Sequence, residues 1–517
     1  MKIIIGINTY HADSSACIIV DGNLIAAIEE ERINRKKHYS GYPIESIKEC
    51  LRIAEKKELE ITDVAFNTKP SSNLLFKGAF FMKNFSFKKN SLLGRFKNKI
   101  NIKKLLLEKF TLNNNVKFHY IEHHLAHIAS AFYPSGFKDA VGLSIDGSGD
   151  FVTLAISECK NNKIKIIKKT NFPNSLGIFY HAMTQFLGFK NYGDEYKVMG
   201  LAAYGKPKYF DKIKNNLFIQ NKKSIFELNL DYFNHHNGNF KYTAKDSLHI
   251  GEIFNSNLVE LFSTELKYTN IEDQFKKDFA SSVQKIYEYF FEKIIDKIFL
   301  KKFSNNLVFS GGCALNSSAN RFITNEKRLF KNIYIPCAPG DNGGALGAAF
   351  VVSSKYKNEI QNYKNPYLGT KFSNDEIMKI LKHTNYKNKV IHNFIENDVN
   401  LFKSAAKLIT EGKVIGWFQG QMEFGPRALG NRSILADPRN PDMKNIINMK
   451  IKRRESFRPF APSVLEEYQS DWFTSNFNNP YMSAITTVKY DKQKIIPAVT
   501  HVDDTARIQT VNSKDNF

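Results

Sequence analysis

The stretch KIIIGINTYHADSSACIIVDGNLIAAIEEER (residues 2–32) indicates the fold of the N-terminal part of the chain. Two runs of β-forming residues flank the polar segment HADSSA, and a third run follows the turn at Asp21 and Gly22. The sequence therefore predicts a β-hairpin followed by a third strand. The polar tip of this hairpin carries His11, Asp13, Ser14 and Ser15.

The same pattern returns in VGLSIDGSGDFVTLAI (residues 141–156), which predicts the first hairpin of a second lobe. Its glycine-rich tip contains Asp146, which could ligate a metal or a ligand hydroxyl, although an aspartate that only forms the turn is the alternative. Such hairpins resemble those of the sugar-kinase, Hsp70 and actin superfamily, in which the tip faces phosphate or the transferred group.

Two strand, glycine-turn, helix units follow at NLVFSGGCALNSSANRFI (306–323) and IYIPCAPGDNGGALGAAF (333–350). Paired glycines let a nucleotide approach the backbone, and the N-terminus of a helix favours phosphate. One such pair is weak support, but two units after two acidic hairpins favour an ATP-binding cleft. The candidate residues in these turns are Gly311, Gly312, Asn316, Asp341 and Asn342.

Two helices and a linker complete the predicted organisation. Residues 276–300 show apolar side chains at helical spacing, which predicts a long amphipathic core helix. The chain turns polar over 353–372, which is typical of a linker. In the second domain we expect a helix capped by Asp398, running through Thr410 and stopped at Gly412.

The histidine motif HHLAH (residues 123–127) predicts a metal site. It begins an alanine-rich segment that should be helical, so His123 and His127 lie four residues apart and face the same way, while His124 points elsewhere. A histidine cluster without metal is the alternative, because the motif lacks the glutamate of HExxH. The isolated acids Asp146 and Asp341, each in a glycine-rich turn, favour the metal.

Composition excludes several classes of protein. A chain of 517 residues is too long for one core, and 42% hydrophobic with 24% charged residues is typical of a soluble globular protein. The five cysteines are scattered without CxxC spacing, which argues against disulfides and thiolate zinc sites. No signal peptide or run of 18 apolar residues is present, so a cytoplasmic location without membrane spans is expected.

The formal net charge of +23 invites a nucleic-acid interpretation. The excess is spread along the whole chain without a recognisable nucleic-acid motif, so a solvated basic surface is favoured and no nucleic-acid partner is expected. The clearest local excess is the segment from Lys77 to Lys109, where ten Lys and Arg residues accompany one acid, Glu108, among six phenylalanines from Phe76 to Phe96. This segment could meet an anionic acceptor or a membrane surface.

Arginine-rich loops in the second domain predict a polyphosphate clamp. The guanidinium fork matches phosphate oxygens in two-point contacts, although each residue alone could be a surface cation. The candidates are Arg427, Arg432, Arg439, Lys452, Arg453, Arg454, Arg458, His501 and Arg507. In the first domain, Lys36, Lys37 and His38 form either an oxyanion-binding loop or an exposed basic turn.

Together the segments HADSSA, HHLAH, SIDGSGD, KVMGLAAYG, FSGGCALN, PCAPGDNGGALGAA, MEFGPRALGNRSILADPRN and ESFRPFAPSVL resemble the O-carbamoyltransferase family, which includes nodulation-factor, cephem and tobramycin carbamoyltransferases. The resemblance spans nearly the whole chain. It implies an α/β architecture: a two-lobed domain of the sugar-kinase, Hsp70 and actin superfamily, followed by a YrdC-like domain. The implied boundaries are 1–355 with lobes 1–140 and 141–355, a linker at 356–372, and 373–517.

The resemblance implies a two-step transferase. Carbamoyl phosphate and ATP with Mg²⁺ form carbamoyl adenylate in the second domain, and an acceptor hydroxyl on a sugar or glycosylated natural product then displaces AMP in the first. Fe²⁺ or another divalent metal would bind His123, His127, Asp146 and Asp341. His11 would take the proton of the acceptor, beside Asp13 and Lys37. Nucleotide and phosphate contacts are implied for Asp146, Gly177, Gly311, Gly312, Asn316, Asn342, Arg427, Lys452, Arg458 and Arg507.

Two departures from the family pattern qualify these expectations. Asp504 stands where the family usually has glycine, which predicts a strained turn or repulsion of phosphate. The chain ends at Phe517, before an NTSFN-like motif of the family, so the second domain is expected to be incomplete at its C-terminus. The alternatives are a tRNA threonylcarbamoyl-type transferase and a non-catalytic nucleotide-binding module; a sugar kinase needs no histidine pair. A homodimer is a further expectation.

Overall fold

The computed structural model describes residues 1–83, 101–220, 224–237, 242–244, 248–268, 272–356, 363–383, 393–395, 397–514 and 516. Its strands are β1 (Ile3–Asn8), β2 (Ser15–Val20), β3 (Asn23–Glu29), β4 (Asp63–Phe66), β5 (Lys117–Tyr120), β6 (Asp139–Gly149), β7 (Val152–Lys160), β8 (Lys163–Asn171), β9 (Tyr242–Ala244), β10 (Leu248–Ile250), β11 (Asn306–Ser310), β12 (Asn332–Tyr334), β13 (Ile415–Phe418), β14 (Arg432–Leu435), β15 (Ser463–Leu465), β16 (Thr486–Thr487), β17 (Thr505–Ala506) and β18 (Gln509–Val511). Its α-helices span Glu31–Asn34, Ile44–Ile53, Leu74–Lys83, Ile102–Lys109, His123–Ser135, Leu176–Phe186, Glu195–Ala202, Phe210–Leu217, Ser256–Leu261, Ser263–Tyr268, Glu272–Phe299, Ser317–Arg321, Gly343–Ser353, Asn374–His383, Asp398–Thr410, Met443–Asn445, Gln469–Trp472 and Tyr490–Gln493.

Two five-stranded sheets with the same topology organise the first 355 residues. The first sheet has the order β3-β2-β1-β4-β5 and the second β8-β7-β6-β11-β12. In each sheet the three strands of the predicted hairpin unit pair antiparallel, and the two later strands join parallel. The α/β prediction and both hairpins are therefore confirmed, and one supersecondary pattern occurs twice.

Two helices lie between the sheets. We call them the histidine helix (His123–Ser135) and the glycine helix (Gly343–Ser353). The histidine helix follows β5 but packs on β6, β7 and β11 of the second sheet, whereas the glycine helix follows β12 and packs on the first. The two helices also touch each other closely. A Cβ on Gly347 would lie 1.7 Å from the carbonyl oxygen of Ala126, so only glycine permits this approach.

The outer faces of the sheets are covered by amphipathic helices. Helices Ile44–Ile53 and Ile102–Lys109 cover the first sheet, and Leu176–Phe186 and Glu272–Phe299 cover the second. The last of these is the predicted core helix, which begins four residues earlier than expected. Its predicted apolar stripe is buried and comprises Phe279, Val283, Ile286, Tyr287, Phe290, Ile294 and Ile298.

The C-terminal region contains short strands paired two by two. Within its described residues these pairs are β13 with β14, β15 with β18, and β16 with β17. The helix Asp398–Thr410 is present, but its predicted cap was wrong. The side chain of Asn397, not Asp398, accepts the N–H groups of Val399 and Asn400, because the residue outside the first turn is the one that can reach them.

The predicted linker is anchored at its described end. Backbone hydrogen bonds join Leu368 to Ala27 of β3 and to Met422, and Pro366 to Phe424. The N–H of Gly425 also donates to the buried Glu29 carboxylate at 2.8 Å. These contacts attach the C-terminal region to the edge of the first sheet.

The basic, phenylalanine-rich segment from Lys77 to Lys109 is described only at its ends, and residues 84–100 lie outside the described residues. At its start Lys77 is buried and its Nζ donates to the carbonyl of Pro70 at 2.9 Å. In the part of the chain that the structure describes, no helix is long and apolar enough to cross a membrane.

Candidate active site and metal centre

Four side chains from distant parts of the chain converge in front of the histidine helix. His123 and His127 lie one turn apart on this helix, with their Nε2 atoms 3.0 Å from each other. Asp146 comes from β6, and Asp341 from the turn before the glycine helix. One potential ligand atom of each lies within 4.8 Å of the other three. The arrangement could hold a metal ion.

Each carboxylate is oriented by a backbone N–H group. Oδ1 of Asp146 accepts from Gly312 at 2.9 Å, which directs Oδ2 to within 3.3 Å of His123 Nε2. Oδ2 of Asp341 accepts from Ala12 at 3.2 Å, and Oδ1 lies 3.4 Å from both imidazole Nε2 atoms. Buried Asp341 Oδ1 has no hydrogen-bond partner within the described structure. Two imidazoles and two carboxylates suit a divalent transition metal.

The charges of this group depend on one another. Burial opposes ionisation of His123, but both carboxylates outweigh it and raise the pKa of His123 to about 10. Conversely, the imidazoles outweigh burial and lower the pKa of Asp146 and Asp341. The two aspartates are therefore anionic at neutral pH, as metal ligands must be.

The third histidine of the motif is structural. Nε2 of His124 donates to the carbonyl of Val152 at 2.9 Å, and Nδ1 lies 2.9 Å from Ser144 Oγ. Burial and the neighbouring histidines lower the pKa of His124 to about 3, so its ring is neutral. As expected, it points away from the other two.

The hairpin tip after Asp146 supports the side chain of His123. A Cβ on Gly149 would lie 2.0 Å from Cδ2 of His123, so the backbone of the tip covers this ring directly. Next to it, the Asp150 carboxylate accepts the N–H groups of His123 and Lys69 at 3.1 and 2.8 Å. Sequence reasoning missed Asp150, because nothing in the motif SIDGSGD distinguishes this acid from a turn residue.

The predicted catalytic residues line one mouth of a cavity of about 2040 Å³. His11 stacks on His123, with ring centroids 4.5 Å apart. Asp13 hydrogen-bonds Nδ1 of His38 at 2.8 Å, a partner that the sequence did not indicate. Lys37 lies with its Nζ 5.8 Å from the ring of Tyr196. The structure thus brings His11, Asp13 and Lys37 to the same cavity as Asp146 and Asp341.

Folding stability is expected to depend on pH through Asp13 and His38. Burial disfavours the charged ring, but the hydrogen bond and charge of Asp13 outweigh it and raise the pKa of His38 above 6.5. A raised folded-state pKa means that this stabilisation is complete below about pH 6.5 and is lost as pH rises through the raised value. Asp13→Asn should therefore lower Tm below about pH 6.5, and this loss should shrink as pH rises through the raised pKa of His38.

Tm measured by calorimetry from about pH 5 to pH 9 checks this expectation. Asparagine also tolerates the left-handed conformation of position 13 (φ 52°), so the backbone should remain. The exposed Asp491→Asn is the control. A loss of Tm in the Asp13 variant that is equal at every pH would contradict a role for the charged pair.

The predicted nucleotide residues of the first domain divide into two groups. Gly177, Gly312, Asn316 and Asn342 line the cavity together with Asp146. Gly311 does not; it has φ 88°, and a Cβ there would lie 2.2 Å from the carbonyl oxygen of Ile145. The two asparagines have structural partners as well, since Asn316 caps the helix Ser317–Arg321 and Asn342 donates to Glu29 at 2.9 Å.

A cluster of cations from the C-terminal region lines the same cavity. We call Arg427, Lys452, Arg454, Arg458 and Arg507 the cationic cluster. Burial and the other arginines lower the pKa of Arg427 and Arg454 to about 10, and that of Arg507 further. Buried Arg507 Nε has no hydrogen-bond partner among the described residues. Mutually repelling, partly desolvated cations mark a site that an anion would stabilise.

Three of the four remaining predicted clamp residues lie outside the cavity lining. Arg439 is exposed and pairs with Asp437 at 2.7 Å, and neither Arg432 nor Arg453 lines the cavity. His501 does line it, with Asp503 at 3.2 Å from its Nδ1. Asp504 has φ 61°, a conformation that favours glycine, which agrees with the strain predicted at this position.

The segment around Tyr196 joins the two regions. The ring of Tyr196 lies 4.3 Å from the guanidinium of Arg458 and 5.8 Å from Lys37 Nζ. Next to it, Lys197 pairs with Glu455 at 2.9 Å and with Asp194 at 3.0 Å. These contacts hold the cationic cluster against the first domain.

Comparison with known proteins agrees with the family predicted from the motifs. A carbamoyltransferase N-terminus model matches residues 3–350, and a carbamoyltransferase C-terminus model matches 406–517. An uncharacterized protein of Synechocystis is 36% identical over all of this chain and 87% of its own length. Nodulation protein NolNO of Sinorhizobium fredii is 33% identical over 98% of this chain and 71% of its own.

Solved structures show weaker likeness. Component A of (R)-2-hydroxyglutaryl-CoA dehydratase from Acidaminococcus fermentans shares 15% identity over 69% of this chain and 99% of its own, with a TM-score of 0.36. HypF of T. kodakarensis shares 12% over 70% of this chain and 49% of its own, with a TM-score of 0.35. The N-terminal family model alone matches more than half of the sequence. This chain therefore belongs to the carbamoyltransferase family and is a transferase.

Proposed function

We propose that the protein is an O-carbamoyltransferase that activates its carbamoyl group as carbamoyl adenylate. The observation that carries the proposal is the shared cavity, which is lined both by Asp146 and Asp341 of the His and Asp group and by the cationic cluster. An intermediate formed beside the arginines could reach the histidines without entering bulk water. Carbamoyl adenylate is a reactive mixed anhydride, so protection from water matters.

The fold is consistent with one domain for each of the two steps, activation and transfer of the carbamoyl group. The repeated strand order of the two sheets supports assignment of residues 1–355 to the sugar-kinase, Hsp70 and actin superfamily, which consists of two similar lobes. The region after residue 373 supplies the cationic cluster, and we assign it as the YrdC-like, adenylate-forming domain. We place Fe²⁺ in the His and Asp group and Mg²⁺ with ATP.

In the first step, carbamoyl phosphate reacts with water to give carbamate and phosphate. A carbamate oxygen then attacks the α-phosphorus of ATP, which forms carbamoyl adenylate and releases pyrophosphate. Arg427, Arg458 and Arg507, with Lys452, would hold the phosphate oxygens and neutralise the charge that develops on the leaving pyrophosphate. Burial and repulsion by neighbouring arginines lower the pKa of Arg427 and of Arg507, and the negative charge of a bound polyphosphate would offset that repulsion.

In the second step, the acceptor hydroxyl attacks the carbamoyl carbon and AMP leaves. A divalent metal held by His123, His127, Asp146 and Asp341 would polarise the carbamoyl oxygen. His11, stacked on His123, is placed to accept the hydroxyl proton. Asp13 orients His38 beside it, and Lys37 supplies positive charge at the same mouth.

Mass spectrometry of hydroxyl acceptors after incubation with ATP and carbamoyl phosphate tests the proposal. A gain of one carbamoyl group on the acceptor, with pyrophosphate release that requires both substrates, is the expected result. Isotope exchange between pyrophosphate and ATP measures the first step without any acceptor. If exchange does not depend on carbamoyl phosphate, the proposed adenylation is wrong. In a parallel incubation with tRNA and threonine added, a threonylcarbamoyl mass gain on tRNA alone would instead indicate a threonylcarbamoyl-type transferase.

A further inference from the structure

One end of the cavity is lined by aromatic rings. Phe80, Phe151 and Phe172 form a triangle with centroid separations of 5.4–5.5 Å, and His235 stands edge-on to Phe172 at 5.5 Å. All four line the cavity, and we call them the aromatic chamber. Its apolar character contrasts with the cationic cluster, so the two parts of the cavity suit different chemical groups.

The aromatic chamber lies next to the metal centre. Phe151 follows Gly149 by two residues, and Gly149 covers the ring of His123. Two residues span at most about 7 Å of backbone, so a molecule resting on Phe151 has the metal ligands within reach.

His235 offers one unused hydrogen-bond acceptor in this apolar setting. Its side chain is only 4% exposed, and Nε2 contacts the carbonyl of Pro173 at 2.9 Å. A carbonyl oxygen can only accept, so the ring proton is on Nε2 and the lone pair on Nδ1. Burial, with a contribution from His236, lowers the pKa of His235 to about 4, which keeps the ring neutral. Buried Nδ1 has no hydrogen-bond partner in the described structure.

We propose that the aromatic chamber binds an apolar ring of the acceptor, and that Nδ1 of His235 accepts a hydrogen bond from a hydroxyl carried next to that ring. The inference rests on the proposed function and names its acceptor class: a neutral alcohol with an apolar ring close to the carbamoylated hydroxyl. A molecule with polar groups on every face would leave them unpaired against the three phenylalanines.

A matched pair of probes tests this class. Phenyl β-D-glucopyranoside carries an apolar ring where methyl β-D-glucopyranoside carries a methyl group, and the two are otherwise identical. Their binding to the full chain can be compared by saturation-transfer NMR titration. The phenyl compound is expected to bind at least about tenfold more tightly, because its ring loses water contact in the chamber. Equal affinities would overturn the inference, and so would the absence of binding by both probes.

Substitutions test whether the phenyl probe binds in the aromatic chamber. Phe151→Leu and His235→Gln should each weaken binding of the phenyl probe about fivefold to tenfold. Glutamine can keep the Pro173 contact through its Nε2 while removing the Nδ1 acceptor. Phe210→Leu is the matched control, since Phe210 packs on Tyr289 outside the cavity and should change nothing. If all three variants bind the phenyl probe like the parent, the chamber is not the site.

Pyrophosphate exchange separates this inference from the function on which it rests. Phe151→Leu and His235→Gln should retain carbamoyl-phosphate-dependent exchange, because both residues lie away from the cationic cluster. If pyrophosphate exchange is intact but the protein does not prefer the phenyl probe over the methyl probe, only the proposed acceptor class is wrong. If the parent protein shows no pyrophosphate exchange that depends on carbamoyl phosphate, the proposed function itself is wrong.

Discussion

Replacing His127 with alanine is expected to abolish metal retention and to lower carbamoyl transfer by on the order of 10²-fold or more. The variant removes one of two Nε2 atoms that lie 3.0 Å apart, and it leaves the carboxylates of Asp146 and Asp341 facing a single imidazole. Elemental analysis of the purified protein measures metal content, and product mass measures transfer. Pyrophosphate exchange should persist, since the cationic cluster is untouched.

His124→Gln is the control within the same motif. His124 bonds Ser144 and Val152 and contributes no atom to the group of four. Its variant should lower Tm, because a buried hydrogen-bonded side chain is altered, but should keep the metal. Equal metal content in the His127→Ala variant and the parent would refute the assignment of the centre, whatever happens to activity.

Replacing Arg507 with glutamine is expected to lower pyrophosphate exchange by on the order of 10²-fold to 10³-fold. The same variant should raise Tm of the ligand-free protein, because Arg507 is a buried cation repelled by Arg427, Arg454 and Arg458. Pyrophosphate should stabilise the parent protein and have little effect on the variant. A higher Tm of the ligand-free variant, combined with loss of the Tm increase caused by pyrophosphate, distinguishes an anion site from ordinary packing. Thermal denaturation with and without pyrophosphate measures both.

Arg439→Gln provides the comparison for this experiment. Arg439 belongs to the same C-terminal region but is exposed, pairs with Asp437 and lies outside the cavity. Exchange and the response to pyrophosphate should both stay at the parental level. If Arg507→Gln lowers Tm of the ligand-free protein as well, the side chain has a structural role that its charge environment does not indicate.

The parts of the site that the sequence predicted share a local signal. The spacing of His123 and His127 fixes their common face on a helix, and glycines mark the turns that carry Asp146 and Asp341. Family motifs supplied the rest of the set, and turn signals predicted the hairpin with which each sheet begins. In the first domain, short-range periodicity and turn residues therefore predict the hairpins and the positions of several site residues.

The residues that were missed depend on tertiary contacts. Nothing near Asp150 predicts that its carboxylate holds the N-terminus of the histidine helix, and the pairing of His38 with Asp13 joins positions 25 residues apart. Tyr196 contacts cations from both regions, and His235 gains an unpaired nitrogen only through its burial. Such roles depend on contacts between distant parts of the folded chain, so no local sequence pattern predicts them.

The attachment of Asp341 has a consequence for motion. His123, His127 and Asp146 all belong to elements packed on or within the second sheet, whereas Asp341 is tied through Ala12 to the tip of the first. A movement that separated the sheets would withdraw one of the four proposed metal ligands from the other three. Binding of the ion and closure of the cleft are then thermodynamically linked. Whatever closes the cleft must increase the affinity for the ion, and binding of the ion must favour the closed cleft to the same extent.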